Sequence, residues 1–385
     1  MKFLLLALVF LTLSCQNLDK KENTYKSEPI KSAMIKLVHE KKMAGAVTLV
    51  MKDGKIVHNE AVGYARIDGD KKMKKDSIFS IASMTKVITA TAIMILEEEG
   101  KLSVHDPVSN YIPEFKDLKL HDGEKPKREI TLVDLMTHTS GMKNVKGNPK
   151  NMKEAVALIL NQNLSHHPGE FWRYGPGLTV CGRIIELISN ESYEDFLYKK
   201  VFKPLNMKDT TFHPDTKLLP RMAYVYQPSK DGKDLLESPA SSQRMPQKGV
   251  KLFPNPSGGL KSTALDMAHF YQMLLNGGSY KGQYILSEKQ INKMTKIYVW
   301  DFEKIGFTPG SGWGLGCGVI KEPIEVTAML SPGTFGHGGS RGTQSWGDPE
   351  RNMVFILMIQ RTKFGNGDQS EIRKVFQQLA VDSFN

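Results

Sequence analysis

The sequence predicts a mixed α/β (α+β) fold, with an α/β half assembled from both ends of the chain and a mostly helical half inserted in its middle. Three observations predict it. Strand-like runs with a hairpin signal occupy residues 46–65, and strand-like runs return between 313 and 360. A helix that is apolar on nearly every side begins at Ser83. Between about Asp106 and Met245 the pattern is helical and loop-rich. Of 385 residues, 40% are hydrophobic and 24% charged, enough for one large domain or two intimately packed ones, which excludes disorder beyond the first few dozen residues.

The elements follow in chain order. Met1-Lys2, the apolar run Phe3 to Leu13 and then Ser14-Cys15 read as a signal peptide, too short to span a bilayer. A small residue before a cysteine resembles a bacterial lipobox, although Thr12 stands where the box carries Leu. The expectation is a signal peptide over 1–15 with lipid on Cys15, a polar tether over 16–29 and a folded domain over 30–385. In the hairpin, Val47 to Met51 and Ile56-Val57 flank Asp53-Gly54, a two-residue turn signal. The apolar helix runs from Ser83 to Glu99, with Gly100 as its cap. Helical spacing recurs at 155–160, 180–187 and 264–275. Strands are expected at 313–320, 334–338, 343–347 and 353–360, and a last helix at 370–383.

Composition bounds the partners. The net charge of +11 comes from scattered basic residues such as Lys71-Lys72-Met73-Lys74-Lys75, with no interleaved aromatics. That is a solvated basic surface, and no nucleic-acid partner is expected. With Cys15 set aside, Cys181 and Cys317 could pair in an exported protein, but they form no dense framework, and two buried free thiols are the favoured reading. His166-His167 has no third ligand at metal spacing, so no metal and no cofactor are expected.

The chemistry centres on Ser83-Met84-Thr85-Lys86. Acyl transfer needs a hydroxyl, a proton acceptor and donors for an oxyanion. Residues at i and i+3 share one helix face, and a helix start favours developing negative charge. A lysine inside an apolar helix loses charge stability, which lowers its pKa from about 10.4. The bland alternatives are an N-cap serine and a snorkelling lysine. A second match, Ser140-Gly141-Met142-Lys143, reads as a loop because Gly141 would spoil a helix. Gly338-Gly339-Ser340-Arg341-Gly342 matches the nucleophile elbow of α/β-hydrolases. A strand and turn follow it instead of a helix, and no histidine follows His337, so that reading fails.

Several segments, in order, resemble the class C β-lactamase-like serine hydrolases, a family with esterase and DD-peptidase members. They are Phe79 to Lys86, Ile130 to Met142, Pro168 to Tyr174, Phe202 to Met207, Pro256 to Leu260 and Gly336 to Ser340. The resemblance covers roughly residues 30–380. It implies a β-lactamase/transpeptidase-like fold, an antiparallel sheet flanked by helices with a mostly helical subdomain near 106–245. It also implies Ser83 as the acylated serine, Lys86 as the helix lysine and Tyr174 as a proton shuttle whose pKa nearby cations lower. The backbone N–H groups of Ser83 and Ser340 would form the oxyanion hole, and His337, Gly338 and Gly339 would line the substrate site. Trp346 would line the acyl pocket or sit in the core. Two departures stand out. Pro176 replaces the family's Asn after the tyrosine and has no side-chain donor, and His337 replaces a lysine that would bind a substrate carboxylate.

The expected function is therefore a serine hydrolase working through an acyl-enzyme on small-molecule esters or amides, carboxylesterase-like in preference. The alternatives are β-lactams or peptidoglycan peptides as substrates, and a non-catalytic envelope binding protein. The expected location is the bacterial cell envelope, with a lipid anchor at Cys15 in the membrane.

Overall fold

The computed structural model describes residues 26–239, 253–302, 305–363 and 367–385. Cys15, the expected signal peptide over 1–15 and residues 16–25 of the expected tether lie outside the described residues. The centre of the molecule is an eight-stranded antiparallel sheet. Its strands are β1 (Gly45–Lys52), β2 (Lys55–Arg66), β3 (Lys71–Lys72), β4 (Ser311–Trp313), β5 (Gly318–Ile320), β6 (Phe335–Gly338), β7 (Gln344–Asp348) and β8 (Met353–Met358). Their spatial order is β4-β5-β6-β7-β8-β1-β2-β3, so the C-terminal strand pairs with the N-terminal one. Asp53 and Gly54 both take positive φ, the geometry of the tight turn that joins β1 to β2.

The side-chain period of two sorts the sheet's residues onto two cores. In β8, Val354, Ile356 and Met358 enter one core, and Met353, Phe355 and Leu357 enter the other. The first core is covered by α2 (Thr85–Glu98), α7 (Ala264–Leu275) and the helices of the inserted region. Those are α3 (Leu132–Thr137), α4 (Met152–Leu160), α5 (Gly177–Ser189) and α6 (Tyr193–Leu197). α8 (Glu288–Thr295) packs against α2 from outside the insertion. The second core is covered by α1, a helix over residues 26–39, and by α9 (Glu371–Phe384). Every residue of α2 from Thr85 to Leu96 is buried, which is why its sequence shows almost no polar face.

Local differences from the expected elements have simple causes. The run 313–320 is two strands, β4 and β5, because Gly314 and Gly316 let the chain reverse, Gly316 at φ 76°. The helix expected from residue 83 starts as a 3-10 turn over Ala82–Met84 and becomes α-helical at Thr85. The inserted region also carries a small hairpin, Tyr226–Pro228 with Leu235–Glu237. Cys181 and Cys317 are both buried free thiols, and burial raises both thiol pKa values, Cys317 to about 12.

Candidate active site

Ser83 stands where the sheet meets the inserted helices. Phe79–Ser80 pairs with Lys261–Ser262, and the Ile81 N–H donates to the Leu260 carbonyl at 3.1 Å. Ala82 then adopts φ 47°, a left-handed conformation that costs free energy for a residue with a Cβ. The strained residue directly precedes the serine and turns it out of the strand into the helix.

Lys86 lies one turn on, 3% exposed. Its Nζ donates to the Ser257 carbonyl at 2.6 Å and lies 3.5 Å from Ser83 Oγ. Burial pushes its pKa down to about 7. The same Nζ sits 4.6 Å from the centre of the Tyr174 ring. A neutral amine is therefore well populated at physiological pH, within reach of the serine hydroxyl.

Tyr174 closes the set. Its Oη is 3.2 Å from His337 Nε2. His337 Nδ1 lies 2.6 Å from the Gly338 carbonyl and must carry the proton there, so Nε2 is the acceptor and the phenol donates to it. Burial raises the Tyr174 pKa, outweighing the lowering effect of its hydrogen bond with Ser83, and the Asp368 charge adds to the rise. This corrects the expected lowering by nearby cations: burial of the phenol disfavours the phenolate more than its surroundings favour it. Tyr174 is a phenol at neutral pH. Burial first, then the Lys86 charge, depress His337 to about 3, so it is neutral.

The third motif sits at the end of β6. A Cβ on Gly339 would fall 2.5 Å from the Ile81 carbonyl, and one on Gly338 would fall 1.7 Å from Asp368 Oδ1. Glycine at both positions lets this strand end approach the segment just before the nucleophile, with Ser340 following it. Trp346 belongs to the second core and also lines a narrow cavity with Phe307, Trp313, His337 and Gly338. It is 4% exposed, its Nε1 donates to Gln344 Oε1 at 2.8 Å, and Arg373 stacks on it at 4.1 Å. The period of β7 decides this: Ser345 pairs with His337 and bonds Tyr271 in the first core, so Trp346 faces the other way.

Gly141 takes φ 76° in a loop. Ser340 is followed by a turn and β7, with no helix. His166 Nδ1 bonds the His167 carbonyl at 2.8 Å, and His167 Nδ1 accepts from the Lys127 N–H at 3.3 Å.

Sequence reasoning missed four contributors. The Ser257 carbonyl orients Lys86; Phe307 and Trp313 pack around Tyr174 at 4.8 and 6.2 Å; and the His138 ring lies 4.4 Å from the Tyr174 ring. The segments holding Ser257 and His138 had been matched without any role. Nothing in the sequence distinguishes Phe307 from another loop aromatic.

The family described as Beta-lactamase matches residues 30–380. The chain belongs to the β-lactamase family. Members of this family are serine hydrolases that act on small ester or amide substrates or on peptidoglycan peptides. Protein Rv1367c of Mycobacterium tuberculosis is 31% identical over 348 residues, which cover 83% of this chain and 86% of that one. Among solved structures, EstCE1, a hydrolase with promiscuous acyltransferase activity, superposes with a TM-score of 0.79 at 19% identity, covering 93% of this chain and 98% of that one. The octameric penicillin-binding protein homologue from Pyrococcus abyssi gives 0.71 at 26% identity, over 92% and 77%. The β-lactamase-family sheet and its flanking helices are thus shared with both.

Proposed function

We propose that this β-lactamase-family protein hydrolyses lipophilic carboxylic esters through an acyl-enzyme at Ser83. The observation that carries the reading is the buried Lys86 amine, 3.5 Å from Ser83 Oγ and beside Tyr174. Neutral Lys86 takes the Ser83 proton as Oγ attacks the ester carbonyl carbon. The backbone N–H groups of Ser83 and Ser340 are the donors proposed for the oxyanion. As the tetrahedral intermediate collapses, the Tyr174 phenol gives its proton to the leaving alkoxide, and the Lys86 ammonium restores it. Water then attacks the acyl carbon and gives a proton back through the same groups, which releases the acid and regenerates Ser83.

Two features favour an uncharged, apolar substrate. His337, neutral at the third motif, offers no cation to a substrate carboxylate. A cavity of about 220 Å³ opens beside Ser257 and Pro176, walled by Val145, Leu158, Ile159 and Phe253. On its polar rim Thr179 Oγ1 and Ser257 Oγ lie 2.8 Å apart, and Asn144 donates to the Tyr174 carbonyl at 3.3 Å. An apolar acyl chain is what such a pocket accepts.

The test is turnover of p-nitrophenyl butyrate by residues 16–385 beside its Ser83→Ala variant. Ser83-dependent turnover is expected. Ester inertness with stable acylation by a β-lactam would move the reading to a penicillin-binding role, and inertness to both would leave a binding protein. Export with lipid on Cys15 belongs to the same proposal. Its check is Cys15→Ser, which should move the protein from the membrane fraction to the soluble one.

A further inference from the structure

Tyr174 lies in a stretch, residues 168–176, that forms neither helix nor strand. A proton donor there needs something else to hold its backbone. The bonds that do so come mainly from one place. The Gly169 N–H donates to the Thr139 carbonyl and the Arg173 N–H to the His138 carbonyl, both at 2.8 Å, and the Gly175 N–H donates to His138 Nδ1 at 3.3 Å. The last two flank Tyr174 on either side.

We propose that His138 is the positioning residue for Tyr174, bracketing it through its carbonyl and its ring in the one neutral tautomer whose Nδ1 accepts. The inference rests on the hydrolase reading given above but concerns a residue outside its chemistry.

His138 is itself fixed. It caps α3 in the left-handed conformation at φ 63°, and its N–H donates to the Asp134 carbonyl. Asp134 holds Arg128 through two bonds, at 2.6 and 2.8 Å, and completes a capping box with Thr131. The clamp therefore transmits the rigidity of α3 to a loop that has none of its own. The ring is 1% exposed, and its other nitrogen, Nε2, has no hydrogen-bond partner among the described residues. A buried N–H without an acceptor is destabilising, a cost that a leucine here would avoid. The imidazole is explained by what Nδ1 does.

Accepting the Gly175 N–H at Nδ1 leaves the His138 proton on Nε2. His337 is the reverse, with its proton on Nδ1 and Nε2 accepting the Tyr174 phenol. Two neutral histidines of opposite tautomer thus hold one tyrosine, His138 by its backbone and His337 by its hydroxyl. Burial first, and the charge of Lys86 second, disfavour protonation of both rings; the His337 ring adds to this at His138, while the Gly338 carbonyl opposes it at His337. Lys86 is the cation that faces the pair.

The experiment compares His138→Ala with His138→Asn, whose amide oxygen can replace Nδ1 as acceptor and whose backbone tolerates the left-handed conformation. Ester turnover is expressed per Ser83 site, counted by acylation in mass spectrometry. His138→Ala should lower kcat by about tenfold to a hundredfold, the scale of a misplaced catalytic group, with KM within about twofold. His138→Asn should recover most of the loss. In parallel, long-range ¹H–¹⁵N spectra of the imidazoles should show His138 protonated at Nε2 and His337 at Nδ1. Unchanged kcat per site in His138→Ala, equal loss in both variants, or a His138 proton on Nδ1 would each overturn the proposal. If the wild type turns over no ester, the hydrolase reading fails, and the tautomer spectrum still decides the clamp.

Discussion

The chain carries Ser-x-x-Lys twice, and the two copies fare differently. Ser83 and Lys86 stand at a 3-10 turn running into a helix buried from Thr85 to Leu96, so the lysine is desolvated and aimed at the serine. Ser140 and Lys143 stand in an irregular loop, where Gly141 at φ 76° packs against the His166 carbonyl. Spacing of three residues brings side chains together only on a helix. What makes a nucleophile is therefore the apolar run after the motif more than the motif itself.

The largest effect that would break this comparison is on the serines. Ser83→Ala should cost about 10⁴-fold or more in kcat with p-nitrophenyl butyrate, as loss of a nucleophile does, while Ser140→Ala should stay within about twofold. Comparable losses in both would mean that the loop copy takes part. Next come the lysines. Lys86→Met should lower kcat by about 10²–10⁴-fold, the range of a general base, and Lys143→Met should change little. Tyr174→Phe belongs in the same range; a loss under threefold would remove the phenol from the mechanism.

A pH profile sharpens the contrast further. Lys86 must be neutral to accept a proton, and it is protonated below its pKa of about 7. The kcat/KM for a neutral ester should therefore rise with pH through about 7 and then level off, because Tyr174, the proton donor, titrates above the usual tyrosine range. A profile flat from pH 5 to 9 would sink the lysine as base. The smallest effect concerns the loop copy. Gly141→Ala forces a Cβ to within 2.3 Å of the His166 carbonyl at a positive φ. It should lower stability in urea by more than about 1 kcal/mol and leave the reactivity of Ser83 per folded molecule unchanged.

Much of this was legible in the sequence because local patterns coincide with local structure. The turn at Asp53-Gly54, the apolar run of α2 and the helix at 264–275 each state their own geometry. The strand break at Gly314 to Cys317 was hidden, since an apolar run does not show where it folds back. Trp346 was ambiguous because its face depends on the register between β6 and β7, which no single strand encodes. The lowered pKa expected for Tyr174 failed for a related reason. It weighed the nearby cations, whereas the burial of Tyr174 itself, which depends on aromatics from distant segments, is the larger effect. Ser257 and His138 act through a carbonyl and a ring nitrogen brought in from distant segments, and nothing at their own positions announces that role.

The pairing of β1 with β8 has a further consequence. Val47 and Met358 are direct partners although nearly the whole chain separates them. A ribosome has made almost all of the protein before the central strand finds its neighbour. Until then β1 presents one open edge, and its apolar side chains have only part of their cover. Contacts between such remote segments slow folding and lengthen the time in which unfinished chains can associate. A chain cut before Met353 should accumulate as aggregate, with β1–β2 as its sticky element, while the complete chain closes the sheet from both of its ends at once.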